Sequence, residues 1–284
     1  MIRITSLANP HVAQIRDLHT TRGRKKSGLL LIEGLHLLEV LLTAGMFPRE
    51  IYYQPELLQR TPEGRTLLGR LLHSPSSWPD VALFEVSERV AEALSDAQTS
   101  QGVLCVVSTQ LFQPERLLAR RPPSDRPAVL ILDDLADPGN LGTILRTALA
   151  ADVREVLLTQ RCVDCYSPKV IRAAAGAHVA LPVWPDLSWN TIAERTASHC
   201  EAERVFIAEA AGAHPYYAEN FLRPFALIIG NEAHGPSQEA RALARRSISI
   251  PLANRVESLN AAMAAGILLF EAVRQLHLSG GKKG

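Results

Sequence analysis

Aromatic side chains are scarce in this sequence, at 5% of 284 residues. That argues against a surface that binds single strands by stacking base after base. Cysteine is scarcer still: Cys105, Cys162, Cys165 and Cys200 are too few to staple a disulfide scaffold. Cys162 and Cys165 stand at C-x-x-C spacing, half of a zinc site, but no second pair or spaced histidine pair completes four ligands, so no metal is expected. Neither sign of charge dominates, the formal net charge being +1. A basic patch on one face would still attract a phosphate backbone. Long apolar runs are missing too. The most apolar stretch, residues 261–270, is too short for a bilayer and reads as a buried helix, so no membrane contact is expected. No basic-then-apolar leader is read at the start, and with so few thiols a reducing, cytoplasmic setting is expected.

The common nucleotide-binding and hydrolase signatures are absent as well. Gly230 and Gly235 have Walker-A spacing, but no Lys-Ser or Lys-Thr follows, which excludes a phosphate-cradling P-loop. No G-x-G-x-x-G follows a strand, and no G-x-S-x-G elbow appears. What is present is an ordinary folded composition, 47% hydrophobic and 21% charged, long enough for two domains.

The first hundred residues alternate short strand-like runs with helical patterns. Leu29, Leu30, Leu31 and Ile32 form one strand, and Leu37, Leu38, Leu41 and Leu42 recur at helical spacing. A compact α/β domain over residues 1–108 is expected. Residues 109–127 carry Pro114, Pro122, Pro123 and Pro127 and read as a linker with room for one short helix at residues 114–120. Residues 128–284 form the second α/β domain. Its first run, residues 128–132, is apolar throughout, as in a strand buried on both faces. Helices are predicted over 141–151, 168–177, 191–199, 237–245 and 257–277. Strands are predicted over 155–159, 179–183, 204–208, 225–229 and 247–250. Ligands of open α/β sheets bind beyond the carboxyl ends of the strands. Three polar or glycine-bearing segments stand at such ends: residues 133–146, 230–235 and 251–260.

The residues in these three segments resemble the motifs of the SpoU (TrmH) RNA methyltransferases of the SPOUT superfamily. Asp137-Pro138-Gly139-Asn140-Leu141-Gly142 with Arg146-Thr147-Ala148 looks like the first motif. Residues 227–235, through Gly230-Asn231-Glu232, look like the second, and Ile250-Pro251-Leu252 with Val256-Glu257-Ser258-Leu259-Asn260 like the third. Glu33-Gly34 within residues 29–42 resembles, more weakly, the substrate-binding domain of many members, with a fold like ribosomal protein L30e. The resemblance implies a trefoil-knotted catalytic domain, a homodimer with sites near the subunit interface, and methylation of a ribose 2′-hydroxyl in structured RNA. Ribosomal RNA is the expected target ahead of transfer RNA. It implies S-adenosylmethionine as cofactor, held by Gly230, Ile250 and Leu259 with Gly235 and Pro251. It implies a catalytic set of Arg146, Asn140, Glu232, Ser258 and Asn260.

The chemistry asks that the hydroxyl be aligned with the methyl sulfonium and lose its proton as it attacks. Arg146 is the family's catalytic arginine. A guanidinium stays protonated, so gripping a phosphate and stabilising developing alkoxide suits it better than acting as a base. Without the family match Arg146 would be a solvated helix residue, Asn140 an N-cap, and Ser258 and Asn260 helix-start residues. The basic cluster of Arg22, Arg24, Lys25 and Lys26 stands between a solvated loop and an RNA contact. Two rival functions are a non-catalytic RNA-binding assembly factor and a knotted enzyme that methylates a base.

Overall fold

The computed structural model describes residues 2–73, 80–96, 100–122, 128–254 and 256–280. They form two compact units, Met1–Phe112 with Tyr166–Val179, and Gln113–Cys165 with Ala180–Gly284.

The first unit is built on a five-stranded mixed sheet. Its strands are β1 (Ile2–Ile4), β2 (Leu29–Glu33), β3 (Glu50–Tyr53), β4 (Ala82–Val86) and β5 (Val103–Ser108), in the order β1-β4-β3-β5-β2. β5 runs antiparallel to both its neighbours, and the other pairs are parallel. One face packs Ile4, Val12, Ile15, Tyr52, Phe84, Val90 and Leu104 into a core. The basic cluster is a helix, Thr21–Ser27, capped by Thr20. Gly23 is required there, because a Cβ would come within 2.1 Å of the Asp17 carbonyl oxygen.

Two boundaries differ from a linear division of the sequence. The expected linker is structured where it is described. Thr109–Phe112 is a 3-10 turn of the first unit, and the helix Pro114–Arg120 belongs to the second. Just after that helix, the Arg121 guanidinium donates to the Val153 carbonyl at 2.6 Å and pairs with Asp152. Pro123 and Pro127 lie outside the described residues. Residues 166–179 cluster with the first unit. There Tyr166 packs between Phe112 and His178, and Arg172 pairs with Asp96 at 2.9 Å.

The second unit holds a seven-stranded parallel sheet. Its strands are β6 (Ala128–Leu132), β7 (Glu155–Thr159), β8 (Val183–Leu187), β9 (Val205–Ala208), β10 (His214–Pro215), β11 (Phe225–Ile229) and β12 (Arg246–Ser249). The order is β10-β12-β9-β11-β6-β7-β8. β6 and β11 are central, and their runs of Val, Leu and Ile are buried on both faces, as the unbroken apolar pattern predicts.

Three predicted elements shift. The strand expected at 179–183 is β8, over Val183–Leu187, and Ala177–Val179 is a 3-10 turn that follows the helix Pro168–Ala174. At the sheet edge β8 accommodates Pro185 in an irregular stretch of its pairing with β7, between Trp184 and Leu187. The last helix begins at Ala261, not 257, and runs to Gly280. Its 20 residues are twice the run that the sequence singled out, long and apolar enough by composition to cross a membrane. Ala265, Leu268 and Leu269 are nevertheless buried, and the helix packs along the helix Pro138–Ala150, close to Thr147 at Gly266. Its other face is open, with Met263 61% and Phe270 47% exposed, which corrects the expectation of a buried helix.

Candidate active site

The carboxyl ends of β9, β11 and β12 surround a cavity of about 460 Å³. That volume is in the range of sites for drug-sized ligands. Each wall follows from local sequence. After β11 the chain reverses at Gly230, where a Cβ would lie 2.4 Å from the Pro236 nitrogen, so only glycine lets the loop close on itself. Asn231 shapes that loop. Its Oδ1 accepts from the amides of Ala233 and His234, and its Nδ2 donates to the Asp134 carbonyl at 2.7 Å. Gly235 adopts a φ of +67°, which costs glycine nothing. At the end of β6 the buried Asp133 carboxylate accepts from the Ser237 amide at 2.7 Å, fastening the same loop from the other side.

β12 ends at Ser249, and the chain continues along the cavity wall. Ile248, Ile250 and Leu252 line the cavity. Pro251, expected as a cofactor contact, is exposed and is not among the lining residues. Gly230, Gly235 and Leu259 do line it, as do Glu232 and Ser258. Glu257 to Asn260 is not helical. Asn260 caps the last helix instead, its Oδ1 accepting from the amides of Ala262 and Met263.

Asn140 ties the three segments together. Its Nδ2 donates to Glu232 Oε1 at 2.9 Å, and its Oδ1 accepts from Asn260 Nδ2 at 2.8 Å. These two bonds fix which way the amide faces. The backbone amide of Asn140 is bonded to Asp137 Oδ1, so Asp137 is the N-cap of the helix Pro138–Ala150 and the Asn140 side chain is released for the site.

Arg146 stands apart. It is exposed on the same helix, about 9 Å further along the axis by helical rise, and is not a cavity residue. Among the described residues its guanidinium has no hydrogen bond or ion pair. An unengaged guanidinium there is available to a group that approaches from outside.

Arg24 is a correction. Only 4% exposed, its guanidinium donates to the carbonyls of Leu18 and His19 at 2.8 and 2.9 Å and to Thr21 Oγ1. It holds a turn together and cannot reach RNA. Arg22, Lys25 and Lys26 are exposed on the same helix.

Among the described residues no group of three potential metal ligands occurs. Cys165 is buried, and the Cys162 thiol donates to the Leu132 carbonyl at 3.2 Å while accepting from the Leu135 amide. Burial pushes both thiols up. Sequence reasoning missed Glu209, Arg241 and Glu257, which also line the cavity. For Glu209 a signal existed, since it immediately follows β9 at a strand carboxyl end.

The cavity suits a cationic nucleoside. Ile229, Ile248, Ile250, Leu252 and Leu259 offer an apolar slot, and Glu209, Glu232 and Glu257 face a single Arg241. The SpoU rRNA methylase family model matches residues 127–270, and the MRM3-like substrate binding domain matches residues 9–105. The chain is 36% identical to an uncharacterized tRNA/rRNA methyltransferase of Synechocystis, across 96% of this chain and 93% of that one. It is 31% identical to the Bacillus subtilis 23S rRNA (guanosine(2553)-2′-O)-methyltransferase RlmP, across 95% and 98%. An AdoMet-bound rRNA methyltransferase from Sinorhizobium meliloti superposes with a TM-score of 0.78 at 30% identity, covering 96% of this chain and 98% of that one. With three motif loops joined through Asn140 beside a cavity of this character, the chain belongs to the SpoU rRNA methylase family.

Proposed function

We propose that this protein transfers a methyl group from S-adenosylmethionine to a ribose 2′-hydroxyl of ribosomal RNA. The observation that carries the reading is the hydrogen-bonded series Glu232–Asn140–Asn260, which brings all three motifs to one rim of the cavity. The cofactor supplies an activated methyl on sulfur, and its leaving group needs no protonation. Gly230, Gly235, Ile250 and Leu259 would hold it, largely by backbone and apolar contact. Asn140 is held in one orientation from both ends, so it can position a ribose without reorganising. Ser258, exposed on the cavity wall with no hydrogen bond among the described residues, is open to the substrate. Arg22, Lys25 and Lys26 on the first unit are our candidates for phosphate contacts.

The exposed side chains of Met263, Phe270, Leu276 and Leu278 on the last helix, with Tyr217, Val256 and Leu259, support a homodimer. Phe270→Glu is expected to shift the mass in light scattering from two chains to one. A variant that stays dimeric at micromolar concentration would place the interface elsewhere. The four free cysteines suit a cytoplasmic setting.

The decisive experiment maps 2′-O-methylated nucleotides in ribosomal RNA from cells with and without the protein, followed by transfer in vitro to the unmethylated RNA. One ribose should lose its methyl in the deletion strain and regain it on incubation with protein and cofactor. An unchanged ribosomal map would refute the target. Methylation on a base would refute the chemistry.

A further inference from the structure

Glu209 has no role in the motifs that define the site, yet it is built into the cavity with care. It directly follows β9 and is about a quarter exposed. Its Oε1 accepts from Arg241 Nε at 2.9 Å, and its Oε2 accepts from the Ser247 hydroxyl at 2.9 Å. Arg241 itself lies against the cofactor loop, with its Nη2 3.8 Å from where a Cβ on Gly235 would be. The carboxylate therefore has a fixed plane. Each oxygen retains a lone pair for a further donor.

The three cavity carboxylates differ in charge balance. Glu209 is neutralised by Arg241, whereas Glu232 and Glu257 have no cationic partner among the described residues. S-adenosylmethionine presents two kinds of donor, a cationic sulfonium and ammonium on one side and a neutral vicinal diol on the other. An ammonium placed at Glu209 would meet the guanidinium of Arg241. A diol would not, and its two hydroxyls match two side-by-side acceptors. A carboxylate just past a strand end is also a general way to hold ribose hydroxyls in parallel α/β sheets.

We propose that Glu209, aligned by Arg241 and Ser247, is the acceptor for the cofactor's ribose diol. The cationic groups then lie toward Glu232 and Glu257, the side on which Glu232 meets Asn140. This assignment rests on the cofactor reading above and orients the cofactor within the cavity.

Calorimetric titration with S-adenosylhomocysteine and its 2′-deoxy analogue tests it. Removing the 2′-hydroxyl should weaken binding to the wild-type protein about ten-fold, as for one lost hydrogen bond to a charged group. Glu209→Ala should bind S-adenosylhomocysteine at least about ten-fold more weakly. The same variant should not distinguish the two ligands. Glu209→Gln, which keeps the shape and one acceptor, serves in its place if Glu209→Ala lowers the melting temperature, and should show a reduced penalty. Full affinity in the variants, or an undiminished 2′-deoxy penalty in them, would overturn the assignment. If the wild-type protein bound neither ligand, with or without RNA, the cofactor reading itself would fall, and the assignment of Glu209 with it.

Discussion

Arg146→Ala is expected to slow methyl transfer roughly a hundred- to a thousand-fold while leaving affinity for S-adenosylhomocysteine within about two-fold, by analogy with removal of one charge-stabilising donor. The two halves of this expectation have separate causes. Arg146 is exposed, unengaged among the described residues, and not part of the cavity lining, so no cofactor contact is lost with it. Alanine is the best helix former, so the helix that carries Asn140 should persist. What disappears is a planar fork of donors able to grip a phosphate and stabilise charge developing on the attacking oxygen. A role as proton acceptor predicts the same loss in alanine but a different result for lysine. Arg146→Lys retains charge without the bidentate fork. It should recover part of the rate if electrostatic stabilisation is the function, with little change in the pH profile. Single-turnover transfer to the RNA, measured beside calorimetric cofactor binding, separates these outcomes. Robust transfer by the alanine variant would remove Arg146 from the mechanism. A parallel loss of cofactor affinity would move it into the cofactor site.

The opposite pattern is expected of Gly230 and Asn231, whose work is to close a loop. The site is legible in the sequence only in part. The apolar runs of β6 and β11 read directly as buried strands, because a run of five apolar residues bounded by turn signals is the length of a strand covered on both faces. The three motif segments were legible because glycine and asparagine at strand ends are rarely neutral choices. Their joining was not. The bonds from Asn140 to Glu232 and Asn260 span 92 and 120 residues of sequence, and no local pattern encodes them. Arg24 failed for a related reason. Within a basic cluster it looks like its neighbours, and only its turn back to Leu18 and His19 separates it from Arg22 and Lys26. The sequence pattern starts the last helix four residues early because Glu257, Ser258 and Asn260 are all acceptable near a helix start. The amides of Ala262 and Met263 choose Asn260. The knot that the resemblance implies is a property of threading, which periodicity does not touch.

A second large effect is expected far from the chemistry, at the amino end of β7. Glu155 is fully buried, yet it collects Arg195 and Trp184 on Oε2, both at 2.6 Å, and His199 Nε2 lies 2.7 Å from Oε1. The Arg195 guanidinium stacks over the Trp184 ring at 3.6 Å, so one cluster pins the edge strand β8 and the helix Trp189–His199 to the sheet. Burial alone would raise the Glu155 pKa. Hydrogen bonds and charge from His199 and Arg195 outweigh it and hold the carboxyl below the usual carboxylate range. Glu155→Gln should therefore destabilise the second unit by about 3 kcal/mol at neutral pH, the lower end for stranding one partner of a buried pair, since Arg195 retains some solvent access. In a unit of this size that is a fall of roughly 6–12 °C in Tm. Because the folded pKa is depressed, the stabilisation is complete above the ordinary carboxylate pKa of about 4.3 and fades as pH falls through the lower folded value. The gap between wild-type and variant melting temperatures should hence be widest near neutrality and shrink below about pH 4.3. Thermal unfolding followed by circular dichroism from about pH 3 to about pH 7, which runs from below to well above the ordinary carboxylate pKa, checks both the size and the sign. A gap that stays constant across that range would mean the cluster acts through packing of Trp184 and Arg195 alone, without the charge on Glu155.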